Sequence, residues 1–356
     1  MLNVQKWLHE QKGDFSKLTE QLGIRCTFNE YDNRVILNYN QIDSPKTNEI
    51  VMECRALTLD KTDYSLVARS FNRFFNCGEA LAITKRFRFD MPFYAHDKED
   101  GSLIKVYYYN DEWQVETRGT FGQGKPQDLS PYTWEELVWQ TLPSNFRGMA
   151  QKGTTYVFEL CTNWNKVVRN YHTPSIFMLT QFCGMQEIES DIVHIDADIL
   201  GIDVPTTHNF KDLMDAQYHL TEIAEYDPTY EGVVLRDCDN LRLKVKNPKW
   251  FALARLKEGA VSVKNIVPLV LSGEYEEAEV YFPELKPEFD RIAEQIEKIK
   301  LEIDKYWFAY GEEKSRKKFA LSVKECKYSG PLFQAWINNG HPFDYLTQEN
   351  FIKWLS

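Results

Sequence analysis

No stretch of this sequence is apolar for the ~18 residues that a spanning helix needs, so no membrane partner is expected. The opening MLNVQKWLHEQKG lacks the apolar core of a secretory signal. Seven cysteines (Cys26, Cys54, Cys77, Cys161, Cys183, Cys238 and Cys326) stand singly and no C-x-x-C occurs. That argues against a zinc ribbon or a disulfide framework and predicts a reducing compartment, the cytoplasm. The seven histidines show neither H-x-x-x-H nor H-E-x-x-H, and G-x-S-x-G is absent; zinc and serine hydrolases therefore lack their signatures. Basic charge is short overall: 42 Lys+Arg stand against 53 Asp+Glu, a net charge of −11. A broad basic coat for nucleic acid is excluded, while a local basic channel stays open.

Such a channel has a candidate. Between 236 and 257, Arg236, Arg242, Lys244, Lys246, Lys249, Arg255 and Lys257 face only Asp237 and Asp239. A solvated face is the ordinary origin of a charge run. Here, however, Leu241-Arg242-Leu243-Lys244-Val245-Lys246 alternates, which puts the cations on one face of a strand and the apolar residues behind it. That arrangement suits phosphate.

The 356 residues suggest about two domains. Two short helices are predicted before Gly23, then strands at RVILNY, YSLVAR, LIKVYYY and EWQVETR, the last two joined by an Asn110-Asp111 turn. Thr133-Trp134-Glu135-Glu136 reads as a capping box. Further strands follow at TYVFELC, SIFMLTQFC, EGVVLR and LRLKVK, with a helix at FKDLMDAQYHL. Beyond Phe251 the period changes: Phe289, Ile292, Ile296, Ile299, Ile303 and Tyr306 recur at 3–4 spacing. The expected fold is α+β, a mostly antiparallel body over residues 1–252 followed by an all-helical domain over 253–356.

Gly119-Thr120-Phe121-Gly122-Gln123-Gly124-Lys125 satisfies the start of a P-loop, but Pro126 stands where Ser or Thr should hold the metal. A Gly-rich turn after a strand is the better reading. The stronger candidate is Lys98-Glu99-Asp100-Gly101-Ser102, a lysine on a tight turn between apolar pieces. To attack phosphorus, Lys98 must lose its proton, which calls for a pKa below the ordinary ~10.4; burial or neighbouring cations such as Lys244 and Lys246 would lower it. Alone, K-x-D-G is weak. It is followed in order by Glu159 in Tyr156-Val157-Phe158-Glu159-Leu160, by Glu231-Gly232-Val233-Val234, and by Lys244-Val245-Lys246.

This ordered set resembles the covalent nucleotidyltransferase superfamily of nucleic-acid ligases and messenger-RNA capping enzymes. Glu53-Cys54-Arg55, Arg73-Phe74-Phe75-Asn76, Arg118-Gly119 and Lys249-Trp250 make it most similar to the bacteriophage-type RNA ligase 1 family, over roughly residues 50 to 255. The family pattern has lysine where Arg73 and Arg118 stand, so the charge is kept while its geometry differs.

The resemblance implies an antiparallel nucleotidyltransferase domain and an ATP-dependent RNA ligase that needs Mg²⁺ or Mn²⁺. Lys98 would be the nucleophile, with Lys244, Lys246, Arg55, Arg73 and Arg118 on phosphate. Glu159 would take the ribose and Glu231, with Asp100, the metal. Val234 would lie in the nucleotide pocket, and Phe177 is either core or a purine-stacking ring. His96, two residues before Lys98, is either an ordinary strand histidine or functional. The expected partners are ATP and RNA ends bearing 5′-phosphate and 3′-OH, with a broken transfer RNA as one candidate; viral and cellular origins both stay open. Lys314, Arg316, Lys317, Lys318, Lys324 and Lys327, partly offset by Glu312, Glu313 and Glu325, form a basic stretch in the tail that is either suited to such an RNA or an ordinary solvated face. The alternatives are a DNA ligase or capping guanylyltransferase of the same superfamily, or a non-catalytic RNA-end binding protein.

Overall fold

The computed structural model describes all residues except 41–42, 78, 129, 248, 251–261, 273–284 and 356. The chain divides into two compact units, Met1–Trp250 and Phe251–Ser356. The expected boundary at residue 252 falls in 251–261, outside the described residues, as do Arg255 and Lys257.

The first unit contains three sheets among its described residues. One runs β1-β2-β3-β4, built from Ile24–Phe28, Arg34–Tyr39, Leu57–Asp60 and Leu66–Ala68. Helices α1 (Asn3–Glu10), α2 (Phe15–Leu22) and α3 (Glu49–Glu53) pack on it through Val4, Leu8, Leu18 and Val51. Gly23 ends α2 in the left-handed region at φ 62°, the conformation glycine adopts without strain. The next two sheets draw on β5 (Phe75–Asn76), β6 (Tyr94–Asp97), β7 (Ser102–Tyr109), β8 (Glu112–Thr117), β9 (Thr154–Cys161), β10 (Ser175–Cys183), β11 (Gln186–Glu187), β12 (Thr207–His208), β13 (Gly232–Arg236) and β14 (Arg242–Lys246). Their orders are β11-β10-β9-β7-β8 and β12-β6-β13-β14-β5. Pairing is antiparallel except between β14 and β5.

Local chemistry explains several of these elements. Asn110 and Asp111 both have positive φ, 50° and 62°, as a two-residue hairpin turn between β7 and β8 requires. Thr133 Oγ1 accepts from Glu136 N–H, and the Glu136 carboxylate accepts from Thr133 N–H, which starts the helix α5 (Trp134–Thr141). One-turn helices α4 (Leu81–Thr84) and α6 (Phe146–Met149) precede and follow it in the chain. The segment after Lys125 opens no helix before α5, so the glycine run is a turn. Several elements escape the sequence reading, among them strand β1 and helix α7 (Ser190–Leu200). On α7, Val193, Ala197 and Leu200 are buried while Ile192, Ile195 and Ile199 are exposed. Apolar residues on both faces blur the 3.6 period that would have marked it.

Helix α8 (Leu213–Tyr226) covers the outer face of the third sheet, where Ala216 and Leu220 meet Ala95, Val233, Leu235, Leu243 and Val245. The inner faces of the second and third sheets meet at Ala56, Phe71, Phe74, Leu103, Val157 and Phe182, with Leu179 and Val234 at the margin. The candidate site opens beside this junction.

The second unit is helical throughout its described residues, with helices Val263–Ser272, Lys286–Tyr310, Arg316–Val323, Ser329–Asn338 and Gln348–Leu355. Phe289, Ile292, Ile296, Ile299 and Ile303 form the buried stripe of the long helix and pack on Ile266, Phe319, Val323, Leu332 and Phe351. Each fully buried side chain of this kind contributes about 1.5–3 kcal/mol. Among the described residues no helix is long and apolar enough to cross a membrane.

Candidate active site

Strand pairing gathers residues that lie far apart in sequence. Val233 stands opposite Asp97, and the Lys98 N–H donates to the Gly232 carbonyl at 2.8 Å, so Lys98 leaves β6 beside Glu231. Lys246 is in register with Gly232 and Lys244 with Val234. Two glycines permit this closeness. A Cβ on Gly232 (φ +138°) would stand 2.2 Å from the Val245 carbonyl, and one on Gly101 would stand 2.3 Å from that of Leu160. Side chains at either position would push Lys98 and its partners apart.

Lys98 Nζ lies 2.7 Å from Glu231 Oε1, and Lys246 Nζ is 2.9 Å from the same oxygen. Burial alone would lower the Lys98 pKa, but Glu231, then Glu159 and Asp100, outweigh it and hold the amine above its ordinary value. This corrects the expectation that Lys98 is itself depressed. The depression falls on Lys244, which burial and the charges of Arg55, Lys98 and Lys246 push down to about 7.

The surrounding cations lean on aromatic faces more than on carboxylates. Arg55 lies over Phe71 at 4.4 Å, Arg73 over Tyr39 at 4.2 Å, Arg118 over Tyr39 at 5.7 Å and Lys244 over Phe74 at 4.6 Å. Arg55 Nη1 and Arg73 Nη1 are buried without a hydrogen-bond partner. Donors left open in this way fit an incoming anion. Arg242 shares the strand face of Lys244 but is consumed: it pairs with Glu187, beside Arg236, which bonds Ser190 at 2.8 Å. Only part of the basic run therefore serves the cleft.

Glu159 stands on β9 between Leu103 and Phe177 in register. Burial and the Glu231 charge push it up to about 7 against the opposing pull of Lys98. Asp100 is raised by burial; its Oδ2 accepts from the N–H groups of Val168 (2.7 Å) and Arg169 (2.6 Å), while Oδ1 has no partner. Among the described residues no three His, Cys, Asp or Glu side chains form a closed cage. Crowded carboxylates and one open oxygen fit a hard divalent ion held partly by water and phosphate.

Phe177 is half-buried beside Glu159, and the apolar cleft next to Val234 is lined by its strand neighbours Met178 and Leu179.

The RNA ligase family profile matches residues 53–259, more than half of the chain. The chain belongs to the RNA ligase family. It is 28% identical over 305 residues to a protein of Autographa californica nuclear polyhedrosis virus named as a bifunctional polynucleotide kinase/RNA ligase, covering 80% of this chain and 42% of the relative. The chain thus spans less than half the length of that relative. In fold it is similar to an archaeal ATP-dependent RNA ligase (TM-score 0.53, 13% identity, 81% of each chain). It is equally similar to a protein of Aquifex aeolicus named as an ATP-dependent DNA ligase (TM-score 0.51, 12% identity, 83% of this chain and 80% of the other). The fold alone therefore does not separate RNA from DNA.

Within this site the sequence reading missed Tyr39, whose ring carries two arginines, and gave no separate role to Asn76, whose Oδ1 is buried without a partner on the strand beside Lys244. It also missed Asp97 and Tyr230. Tyr230 donates to Asp97 Oδ1, and His208 Nε2 lies 2.5 Å from the same oxygen. These two residues immediately precede Glu231 and Lys98, so the bond pins the two strands from the opposite face. A polar residue in a strand facing away from the cations was the only available signal.

Proposed function

We propose that this chain is an ATP-dependent RNA ligase that joins 5′-phosphate and 3′-OH ends through a lysyl-AMP on Lys98. The observation that carries the reading is a lysine paired with Glu231 at 2.7 Å inside a set of cations in which Arg55 and Arg73 each keep a buried donor without a partner. Lys98 sheds a proton, for which Glu231 is the adjacent acceptor, and attacks the α-phosphorus of ATP. The N–P bond forms as pyrophosphate leaves with the P–O electron pair. AMP then passes to the RNA 5′-phosphate, and the RNA 3′-OH displaces it to make the phosphodiester. Arg55, Arg73, Arg118, Lys244 and Lys246 receive the phosphate oxygens where charge develops. Glu159 accepts from ribose hydroxyls, and Val234 and Phe177 flank the base. Mg²⁺ or Mn²⁺, held by Glu231 and Asp100, supplies Lewis-acid stabilisation of those oxygens when bound.

Incubation with α-labelled ATP and Mg²⁺, followed by denaturing electrophoresis, should leave label on the protein; GTP should leave little. Sealing of matched RNA and DNA ends then separates ligase from ligase. No label would exclude the enzyme and favour an end-binding role. The helical second unit weighs against relatives that carry a β-barrel there, and the choice between RNA and DNA rests on the sealing test. Its exposed Lys314, Arg316, Lys317, Lys318, Lys324 and Lys327 would orient a structured RNA, with a broken transfer RNA as candidate. Neutralising all six should spare labelling by ATP while weakening the sealing of folded RNA and flattening its salt dependence. Equal loss on short unstructured oligomers would overturn that role.

A further inference from the structure

The helical unit holds a pocket of its own, about 500 Å³ in volume, which is within the range of small-ligand sites. Its floor is Ile299, from the buried stripe of the helix Lys286–Tyr310. One wall is the flank of that helix, where Gln295, Lys298 and Glu302 recur at the 3–4 spacing that aligns side chains. Another is Trp354, half-buried near the end of the helix Gln348–Leu355. Tyr328 meets its indole edge-on at 4.8 Å, and Phe351 braces it at 5.7 Å. The Tyr328 hydroxyl donates to Glu302 Oε2 at 2.7 Å, so one tyrosine ties both walls together.

The polar groups around this space are not used up within the unit. Lys327 lies over the Tyr328 ring at 4.9 Å and has no carboxylate in ion-pair reach among the described residues. Lys298 has only Glu294, 3.5 Å away with both side chains exposed, a pair worth little. Gln295 spends its carbonyl oxygen on Arg291 and keeps its amide N–H groups, and Glu302 keeps Oε1. A simple anion would meet the lysines but also the Glu302 carboxylate, and would make no use of the indole. An apolar guest would strip water from Glu302 without replacing its hydrogen bonds. A nucleotide answers every group: a flat ring for the indole, a base N–H for the carboxylate and phosphate for the lysines. Lys327 also ends the basic stretch that begins at Lys314, which gives a polyanion its approach.

We propose that this pocket takes one unpaired nucleotide splayed out of the RNA substrate. Its base stacks on Trp354 and donates an N–H to Glu302, while the flanking phosphates meet Lys298 and Lys327. This rests on the RNA ligase reading above and adds a site that holds the RNA by a base as well as by its charge.

The test measures binding of the full chain, without ATP or metal, to two labelled RNA hairpins. They differ at one bulged position, which carries adenosine in one and an abasic ribose in the other. The intact chain should bind the base-bearing hairpin at least ~5-fold more tightly, the low end of what one base stacked on an aromatic ring is worth. Trp354→Ala should bring the two affinities within about 2-fold of each other, and Trp354→Phe, which keeps a ring, should restore part of the preference. Lys298→Gln combined with Lys327→Gln changes only exposed side chains. It should weaken both hairpins alike and lower the salt slope by about one to two. Equal affinities for the intact chain overturn the proposal without any variant and favour a peptide guest. A folded Trp354→Ala chain with its preference intact overturns it too, as does an unchanged salt slope in the double lysine variant. Label transfer from ATP is read separately. Its absence, with the base preference preserved, counts against the ligase reaction and not against the pocket.

Discussion

Two clusters of buried charge lie in the first unit, and they follow opposite rules. Where the first sheet meets the second, Arg34 bonds Tyr107 (2.8 Å) and Asp32 (2.7 Å), and Lys105 bonds Glu116 (2.8 Å) and Thr58 (2.5 Å). Thr58 in turn donates to Glu116 at 2.6 Å, and Lys105 and Glu116 are wholly inaccessible. Charge is matched by charge there, and no acceptor is needed from outside. Around Lys98 the cations outnumber their carboxylate partners, rest on aromatic rings and keep buried donors open. Burying an uncompensated charge is costly, so such an excess makes sense only where an anion arrives. The matched cluster joins sheets; the unmatched one has the chemistry to take a phosphate.

The largest expected effect comes from removing the amine. Lys98→Ala should carry no detectable label from ATP, because no other side chain on that turn can form the phosphoramidate. Undiminished labelling would dismiss Lys98 as nucleophile.

Lys244→Met should separate activity from stability. Losing one preorganised donor costs at least ~100-fold in the labelling rate, yet the fold should gain. In the unfolded chain Lys244 keeps its proton up to ~10.4, whereas in the folded chain it titrates at about 7. Between those values the unfolded state binds more protons, so stability rises with pH. The substitution removes that slope. Thermal unfolding should show the variant above its parent at pH 7, with the gap closing towards pH 10. A variant less stable at pH 7 would mean that Lys244 is as well matched as Lys105.

Lys105→Met should do the reverse, destabilising by about 3 kcal/mol because buried Glu116 loses its nearer counter-charge and keeps only Arg34, 3.4 Å away. Labelling per folded molecule should stay within a few-fold. Lys105→Met combined with Glu116→Gln should recover part of the loss, as coupled neighbours do. A loss of labelling in step with Lys244→Met would erase the distinction between the clusters.

The sequence showed one cluster far better than the other. Lys98, Glu159, Glu231, Lys244 and Lys246 announce themselves because spacing and strand alternation mark them, and the family resemblance orders them. Arg34, Lys105 and Glu116 look like ordinary strand charges, since nothing local tells a buried lysine from a solvated one. Their meaning lies in β2, β3, β7 and β8 meeting, which is long-range information. The same limit hid Tyr39 as a seat for arginines. It also misassigned Arg242, whose alternation is right but whose partner Glu187 lies 55 residues away. The Lys98 amine was misjudged for a related reason, because the carboxylate that raises it arrives from another strand.

The smallest expected effect sharpens the comparison within the active cluster. Tyr230 packs with Val233 and Leu235 on the helix α8 side of the sheet and bonds Asp97, while the next residues, Glu231 and Lys98, pair with each other. The hydrogen bond between Tyr230 and Asp97, supported by His208, holds the two strand ends together beneath the reacting pair. Tyr230→Phe keeps the ring and its packing against the third sheet but loses the bond. A displacement of 1 Å at a reacting group costs on the order of 100-fold, and a strand end still paired through Val233 and Asp97 should move less. The expected loss is therefore about 10-fold in kcat for label transfer, with KM for ATP unchanged because no phosphate or base contact is touched. Asp97→Asn, which retains an acceptor oxygen for Tyr230, should lose less than Tyr230→Phe. A rise in KM with kcat intact would place Tyr230 in nucleotide binding, and an unchanged rate would show that backbone pairing alone positions Lys98.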